Sequence, residues 1–421
     1  MKKIVILGAG TGGTLVSNLL SRKLDMKEWE IIIIDKSDTH FYQPGFLFLP
    51  FELYGYHKES DVMKPIKKPL PDKARFVSAT IQNINHEKKV VETSSGNFEY
   101  DFLVMSMGCS AETSEMEGLD DAIEKGVADT FYNVKGAMNL QKQIGNMKEG
   151  KLVLNLAEMP IKCPVAPIEF VFLADYFFHE KKIRDRVEII YVTSLGGAFT
   201  KPQANEVLSK VIAEKGIKVI PNFNVESVDG DKKQLKSFNG ETVDFDVLAS
   251  IPPNLGPQVI EDSGLGDGNS FAVTDPKTLE AKKGDSIYVI GDNSNVSTSK
   301  AGSVAHFEAE VVVENILREI KGEKPIPDFD GHSNCFIESG FHKAFLIDFN
   351  YEVEPLKGNF PVPGVGPFSL LEESTLNHWG KMAFKWVYWN LLLTGHLPGD
   401  PLLPSHMSLK GKKIPESMAS H

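Results

Sequence analysis

Residues 4–13 read Ile-Val-Ile-Leu-Gly-Ala-Gly-Thr-Gly-Gly, and this run constrains the fold more than any other. An apolar strand over residues 2–7 stops at Gly8, and Leu15, Leu19 and Leu20 then recur at helical spacing over residues 14–24. A second apolar strand, residues 30–34, ends at Asp35. Strand, glycine turn, helix and strand make a βαβ unit of a parallel sheet. Gly8 permits a tight turn, Gly10 lets the backbone approach a pyrophosphate, and Gly13 lets the helix pack on the strand. The helix start offers free N–H groups and a favourable dipole to that anion. Asp35 suits ribose hydroxyls and disfavours a 2′-phosphate.

The rest of the chain predicts a two-domain α/β architecture. Residues 36–70 are irregular and rich in proline and aromatics, and 76–104 alternate like antiparallel strands with a turn near residues 94–97. Residues 102–108 form a buried strand ending at Gly108. A second α/β pattern follows: strands at 152–156, 187–192 and 217–220, helices at 167–180 and 203–215, then short strands at 225–228, 234–238 and 243–250. Residues 287–292 return as a buried strand ending in Gly291-Asp292, ahead of a helix over 301–320. The resulting division is a first Rossmann-like domain in two pieces (1–130 and 275–325), a second inserted between them (131–274), and an aromatic, less regular C-terminal region (326–421).

The strand ending in Gly291-Asp292 favours FAD over NAD in the first domain, because a flavin's ribitol needs an acceptor at the far end of the sheet. Aspartate also suits a helix N-cap, which is the alternative role for Asp292. The second domain lacks nucleotide-binding glycines. After strand 152–156 come Glu158, Met159 and Pro160, where a phosphate would need bare backbone, and a cysteine, Cys163, stands in the turn. This domain is not expected to hold NAD(P)H.

The chain has three cysteines, Cys109, Cys163 and Cys335, too few for a disulfide scaffold and consistent with a reducing compartment or with thiols kept for reactivity. No cluster has metal-ligand spacing. Taken with the nucleotide motif, the contexts of Cys163 and Cys335 complete a pattern. Gly8-Ala-Gly-Thr-Gly-Gly13, the Asp35 strand, His40-Phe-Tyr-Gln-Pro44, Ser106-Met-Gly108, Cys163-Pro-Val-Ala-Pro-Ile-Glu169, Tyr288-Val-Ile-Gly-Asp292, Lys300-Ala-Gly-Ser-Val-Ala-His306 and Cys335-Phe336 run through nearly the whole chain. It resembles the sulfide:quinone oxidoreductases and the flavoprotein subunit of flavocytochrome c sulfide dehydrogenase, among the flavoproteins with two dinucleotide-binding domains. Only the cysteine contexts separate these from type II NADH dehydrogenases.

That resemblance implies FAD, oxidation of sulfide to polysulfide or sulfur at a Cys163–Cys335 pair, and electron transfer to a membrane quinone; the FAD is expected to be noncovalent because residues 126–132 lack the third cysteine that carries a covalent link in some members. Nucleophilic sulfur chemistry needs a thiolate, so lowered thiol pKa values would help. Glu169 is then a proton shuttle near the thiols, and Lys300 a fixed cation near the reduced flavin. Pro44 and Gly108 join the flavin contacts, and Phe336, Phe341, Phe368 and Gly302 the quinone site. Two departures stand out. Residues 126–132 carry no third cysteine, and no histidine matches near Thr200-Lys201. Cys109 is given no catalytic role. The alternatives are an NADH:quinone oxidoreductase and a non-catalytic flavin-binding sulfur sensor.

With 45 Lys and Arg against 57 Asp and Glu, the net charge of −12 disfavours nucleic acid and anionic headgroups. Lys2-Lys3 leads straight into a strand, so no secretory signal is expected, and no apolar run reaches the roughly 20 residues of a membrane span. Residues 379–394 are rich in Trp and Tyr and predict an interfacial contact, with Lys381 and Lys385 meeting phosphates or snorkelling. The expectation is a monotopic protein on a prokaryotic inner membrane, assembled as a homo-oligomer.

Overall fold

A computed structural model describes residues 1–362, 365–396 and 406–413. The three largest of the seven sheets among the described residues organise the fold. The first is parallel, in the order Ile287–Val289, Phe102–Met105, Lys2–Leu7, Trp29–Asp35, Arg75–Ser78. Outside the edge strand Arg75–Ser78, its Val, Ile and Leu residues are buried on both faces, as a sheet sandwiched between layers requires. The helices Thr11–Lys23 and Gly302–Ile320 pack together, bringing the two chain segments of this unit side by side.

The second sheet is also parallel, in the order Ala128–Asp129, Val247–Ile251, Gly150–Leu156, Val187–Thr193, Lys218–Ile220. Helix Ala166–Glu180 is apolar almost all round and is buried over nearly its whole length. A helix of this kind belongs in the interior. The third sheet runs Ser333–Gly340, Lys343–Phe349, Gly366–Leu370, Gly358–Val362, and helix Thr375–Val387 packs on it.

Three expectations need correcting. Among residues 76–104 only Ile81–Asn85, Val90–Thr93 and Gly96–Glu99 are antiparallel; Arg75–Ser78 and Phe102–Met105 belong to the parallel sheet. Residues 243–250 are two strands. Thr242–Asp244 closes an antiparallel ribbon, and Val247–Ile251 enters the parallel sheet after the Asp246 carboxylate accepts the Lys151 N–H at 2.8 Å. The C-terminal region, expected to be irregular, holds an ordered sheet and helix, although its stretches 397–405 and 414–421 fall outside the described residues. Among the described residues no helix is long and apolar enough to cross a membrane.

Candidate functional site

All three sheets contribute to one cavity. Gly8, Gly10, Thr11 and Gly12 line it with Asp35 from the first sheet, Cys163, Ala166 and Glu169 from the second unit, and Cys335 and Phe336 from the third sheet. A Cβ on Gly8 would collide with the Ser106 carbonyl, and one on Gly13 with the Gly8 carbonyl, whereas a Cβ on Gly10 would meet nothing. Gly8 and Gly13 are therefore bare so that backbone can pack on backbone, and Gly10 leaves space in the cavity, as a phosphate cradle requires. The Asp35 carboxylate accepts the N–H groups of Ala9 (2.7 Å) and Ser37 (2.8 Å), which fixes it at the cavity edge.

Gly291, with φ at +72°, turns the chain at the end of Ile287–Val289. Its N–H donates to Glu308 at 2.6 Å, and Asp292 lines the cavity beyond it. Burial raises the pKa of Asp292, and burial with Asp292 alongside pushes Glu308 up to about 8. Pro44, Gly108 and Gly302 also line the cavity. Lys300 lines it too, but its ammonium donates to the carbonyls of Asp292 (2.9 Å) and Ser294 (2.7 Å) and lies 4.2 Å from the Phe271 ring. Its charge braces this turn. Its own carbonyl accepts the Cys163 N–H at 2.7 Å, which ties the thiol's turn to the first domain.

Cys163 has φ of +48°, uncommon for a residue with a side chain, in the turn just before helix Ala166–Glu180. Its carbonyl accepts the Ala166 N–H at 2.9 Å. Cys335 comes from Ser333–Gly340, both thiols face the same cavity, and Cys335 adds to the rise in the Cys163 pKa. The thiol pKa values are raised, not lowered as nucleophilic chemistry would favour. Burial first, then the neighbouring Glu169 carboxylate, pushes Cys335 up to about 12 and Cys163 higher still, and Lys381 offsets only part of this. Cys109 lies outside the cavity lining, near Asp292, and is pushed up to about 12 by burial.

Glu169 is buried. It pairs with Lys381 and accepts the Glu338 N–H at 2.6 Å, and burial raises its pKa. Lys381 therefore points inward, not toward lipid as expected. Lys385 likewise lies 4.4 Å from the Tyr56 ring, and burial lowers its pKa. Phe336 lines the cavity, with Phe368 edge-on behind it at 5.5 Å. Phe341 is not in the cavity. It is 42% exposed, packed against Tyr176 and Lys215, because it occupies the turn linking two strands of the third sheet.

Sequence reasoning missed Lys381, Phe131, Tyr132 and Tyr388 as cavity residues. Tyr132 donates to the Lys162 carbonyl at 2.7 Å, at the stretch where a third cysteine was absent. The Tyr388 hydroxyl bonds Thr11 (2.8 Å) and His40 (2.7 Å), and His40 reaches the Ala9 carbonyl at 3.1 Å. The end of the C-terminal helix is thus tied to the glycine turn. The outer face of that helix exposes Leu376, Trp379 and Trp386.

No family model matches the chain. It is 28% identical over 409 residues to the mitochondrial sulfide:quinone oxidoreductase of Dictyostelium discoideum, covering 95% of this chain and 88% of that protein. A type II NADH:quinone oxidoreductase of Staphylococcus aureus is 26% identical over a smaller share, 76% of this chain and 83% of its own. The structure of the sulfide:quinone oxidoreductase from Aquifex aeolicus superposes with a TM-score of 0.76 at 20% identity, covering 94% of this chain and 93% of that one.

Proposed function

We infer that this chain, a member of the sulfide:quinone oxidoreductase family of flavoproteins, oxidises sulfide to polysulfide or sulfur and passes the electrons to a membrane quinone. The observation that carries this reading is the convergence of Cys163 and Cys335 on a cavity that also holds the glycine turn and Asp292. The residues fit FAD bound without a covalent link. Gly8, Gly10 and the start of helix Thr11–Lys23 would take the pyrophosphate, Asp35 the ribose and Asp292 the ribitol. The flavin supplies a two-electron acceptor and donor between the thiols and the quinone.

The chain's own groups set the order of events. Both thiols are free in the structure, and burial raises their pKa values; in this reading the oxidised pair is a disulfide and hydrosulfide is the thiolate that attacks it. Attack breaks the Cys163–Cys335 bond and leaves a persulfide on one sulfur and a thiolate on the other. The persulfide's outer sulfur passes to a second hydrosulfide, which leaves as HSS⁻, and both cysteines are then reduced; re-forming their disulfide gives up one proton and two electrons, the electrons to the flavin that the cavity would hold. The Glu169–Lys381 pair beside both thiols steadies the thiolate and takes the proton. Phe336, Phe368 behind it, Gly302 and Lys381 offer the quinone an apolar wall and a proton donor. The exposed Leu376, Trp379 and Trp386 support attachment to a bilayer surface, where a quinone resides. A homo-oligomer on the prokaryotic inner membrane is the assembly this reading favours.

Anaerobic titration tests the proposal. Sulfide is expected to bleach the flavin absorbance of the purified protein, and both Cys163→Ser and Cys335→Ser are expected to abolish that bleaching while flavin stays bound. Bleaching by NADH but not by sulfide refutes it, as does full sulfide activity in either variant.

A further inference from the structure

Behind Glu169 and Lys381 lies a second cluster of ionisable groups. Glu338, from the same strand as Cys335, is wholly buried, and its carboxylate accepts from His378 Nδ1 at 2.9 and 3.0 Å and from the Tyr54 hydroxyl at 3.1 Å. His378 is also buried, one helical turn before Lys381 on Thr375–Val387. Residues three apart share a helix face, so Lys381 lies on the same face as His378, and Glu169, the partner of Lys381, accepts the Glu338 N–H and feels the Glu338 charge. Outward, the His378 ring lies 5.3 Å from that of His342, which is exposed. Tyr54 packs against both rings, 4.8 Å from that of His378 and 5.8 Å from that of His342, and Tyr176 lies 6.0 Å from the His342 ring.

Burying a carboxylate and an imidazole together is costly unless the pair is well satisfied. Here the pair also completes a line of proton-bearing groups from the cavity to the surface: Lys381 and Glu169, then Glu338 and His378, then His342. Two features separate this line from a structural ion pair. Its inner end is the lysine that lies between the thiols' carboxylate and Phe336, whose carbonyl accepts from Lys381 at 3.3 Å. Its outer end is a histidine in the turn at residues 341–342, open to water.

We propose that Glu338 and His378 are positioning residues of a proton conduit, through which solvent protons entering at His342 recharge Lys381 as it protonates the quinone. This rests on the quinone-reductase reading above. One quinone takes two electrons, delivered from sulfide, and two protons. Lys381 gives up a proton to a quinone oxygen, swings its neutral amine toward Glu338, and recovers a proton that His378 passes inward. The charged and titratable groups facing this pair are Glu169 and Tyr176 on helix Ala166–Glu180, Lys381 on its own helix, Tyr54, and His342 in the hairpin turn.

The test separates the two half-reactions of the intact holoprotein by stopped flow. Protein reduced with one equivalent of sulfide is mixed with a soluble ubiquinone analogue from pH 5.5 to 9. In Glu338→Gln and His378→Gln, quinone-dependent reoxidation is expected to fall at least about tenfold at pH 7. Its pH profile should change shape, and sulfide-dependent bleaching should stay within about twofold of the parent. Glu338→Asp is expected to restore most of the reoxidation rate. A readout without turnover is the ¹⁵N-histidine NMR titration of the oxidised protein, in which the His378 midpoint should move in Lys381→Met. Reoxidation within twofold of the parent at every pH in both variants overturns the conduit. So does a fall in both half-reactions with an unchanged pH profile, or an immobile His378 midpoint. If the parent protein is not bleached by sulfide, or its reduced flavin is not reoxidised by the quinone, the functional reading itself falls and the conduit with it.

Discussion

Replacing Glu308 with glutamine removes a titration from the interior without removing the hydrogen bond that uses it. Glu308 is 1% exposed, accepts the Gly291 N–H at 2.6 Å, and is held up to about 8 against an ordinary value of 4.5, first by burial and then by Asp292. Its folded pKa is raised, so its contribution to stability is fully present below pH 4.5 and is lost as pH rises toward 8. Between those values the unfolded chain is ionised at this site and the folded chain is not. Each pH step of one in that window costs about 1.4 kcal/mol, which puts the penalty at about 3 kcal/mol by pH 7. Glutamine keeps an amide oxygen for the Gly291 N–H and has nothing to ionise. Urea denaturation of the parent and of Glu308→Gln at pH 4.5, 5.5, 6.5, 7.5 and 8.5 measures the difference, and flavin release on unfolding, common to both, cancels. The variant should match the parent at pH 4.5, gain steadily to about 3 kcal/mol near neutrality, and gain no more above pH 8. A stability difference that does not change with pH refutes the reasoning.

Other outcomes follow from the site. Phe336→Ala should raise the KM for a soluble quinone analogue severalfold, and Phe341→Ala should leave it unchanged because that ring lies outside the cavity; steady-state kinetics with both variants decides this. Trp379→Ala combined with Trp386→Ala should weaken co-sedimentation with lipid vesicles at least tenfold while sulfide-dependent bleaching in solution is retained. Asp175→Asn should cost about 3 kcal/mol in denaturant titrations, because the buried carboxylate it replaces bonds Arg184 at 2.7 Å and Lys215 at 3.2 Å and leaves both without their countercharge.

The parts of this molecule that are legible in the sequence are those whose cause is local. Gly8, Gly10 and Gly13 announce their turn because each answers a steric demand within a few residues, and the strand ending in Gly291-Asp292 is readable from its continuous apolar run. Cys163 stands out because it sits where phosphate-binding glycines would be. The environment of those thiols is not local, and so the raised thiol pKa values were not readable. It is set by Glu169 and by burial under an ordered C-terminal sheet that shows no strong alternation in sequence. Lys381 is hidden for the same reason. Its partner is 212 residues away, and in a run rich in tryptophan and tyrosine a lysine reads as surface charge. The one usable signal was its spacing from His378, three residues earlier on the same helix. The break within 243–250 turns on Asp246 capturing a backbone N–H of residue 151, again a distant contact.

The Tyr388 hydroxyl, shared between Thr11 and His40, has a practical bearing on how this protein can be handled. Cutting the chain before Thr375 to rid a preparation of its sticky tryptophans would also strip Lys381, Phe384 and Tyr388 from the wall of the flavin pocket. A shortened protein made that way should come off the column colourless, whereas replacing Trp379 and Trp386 alone keeps the yellow.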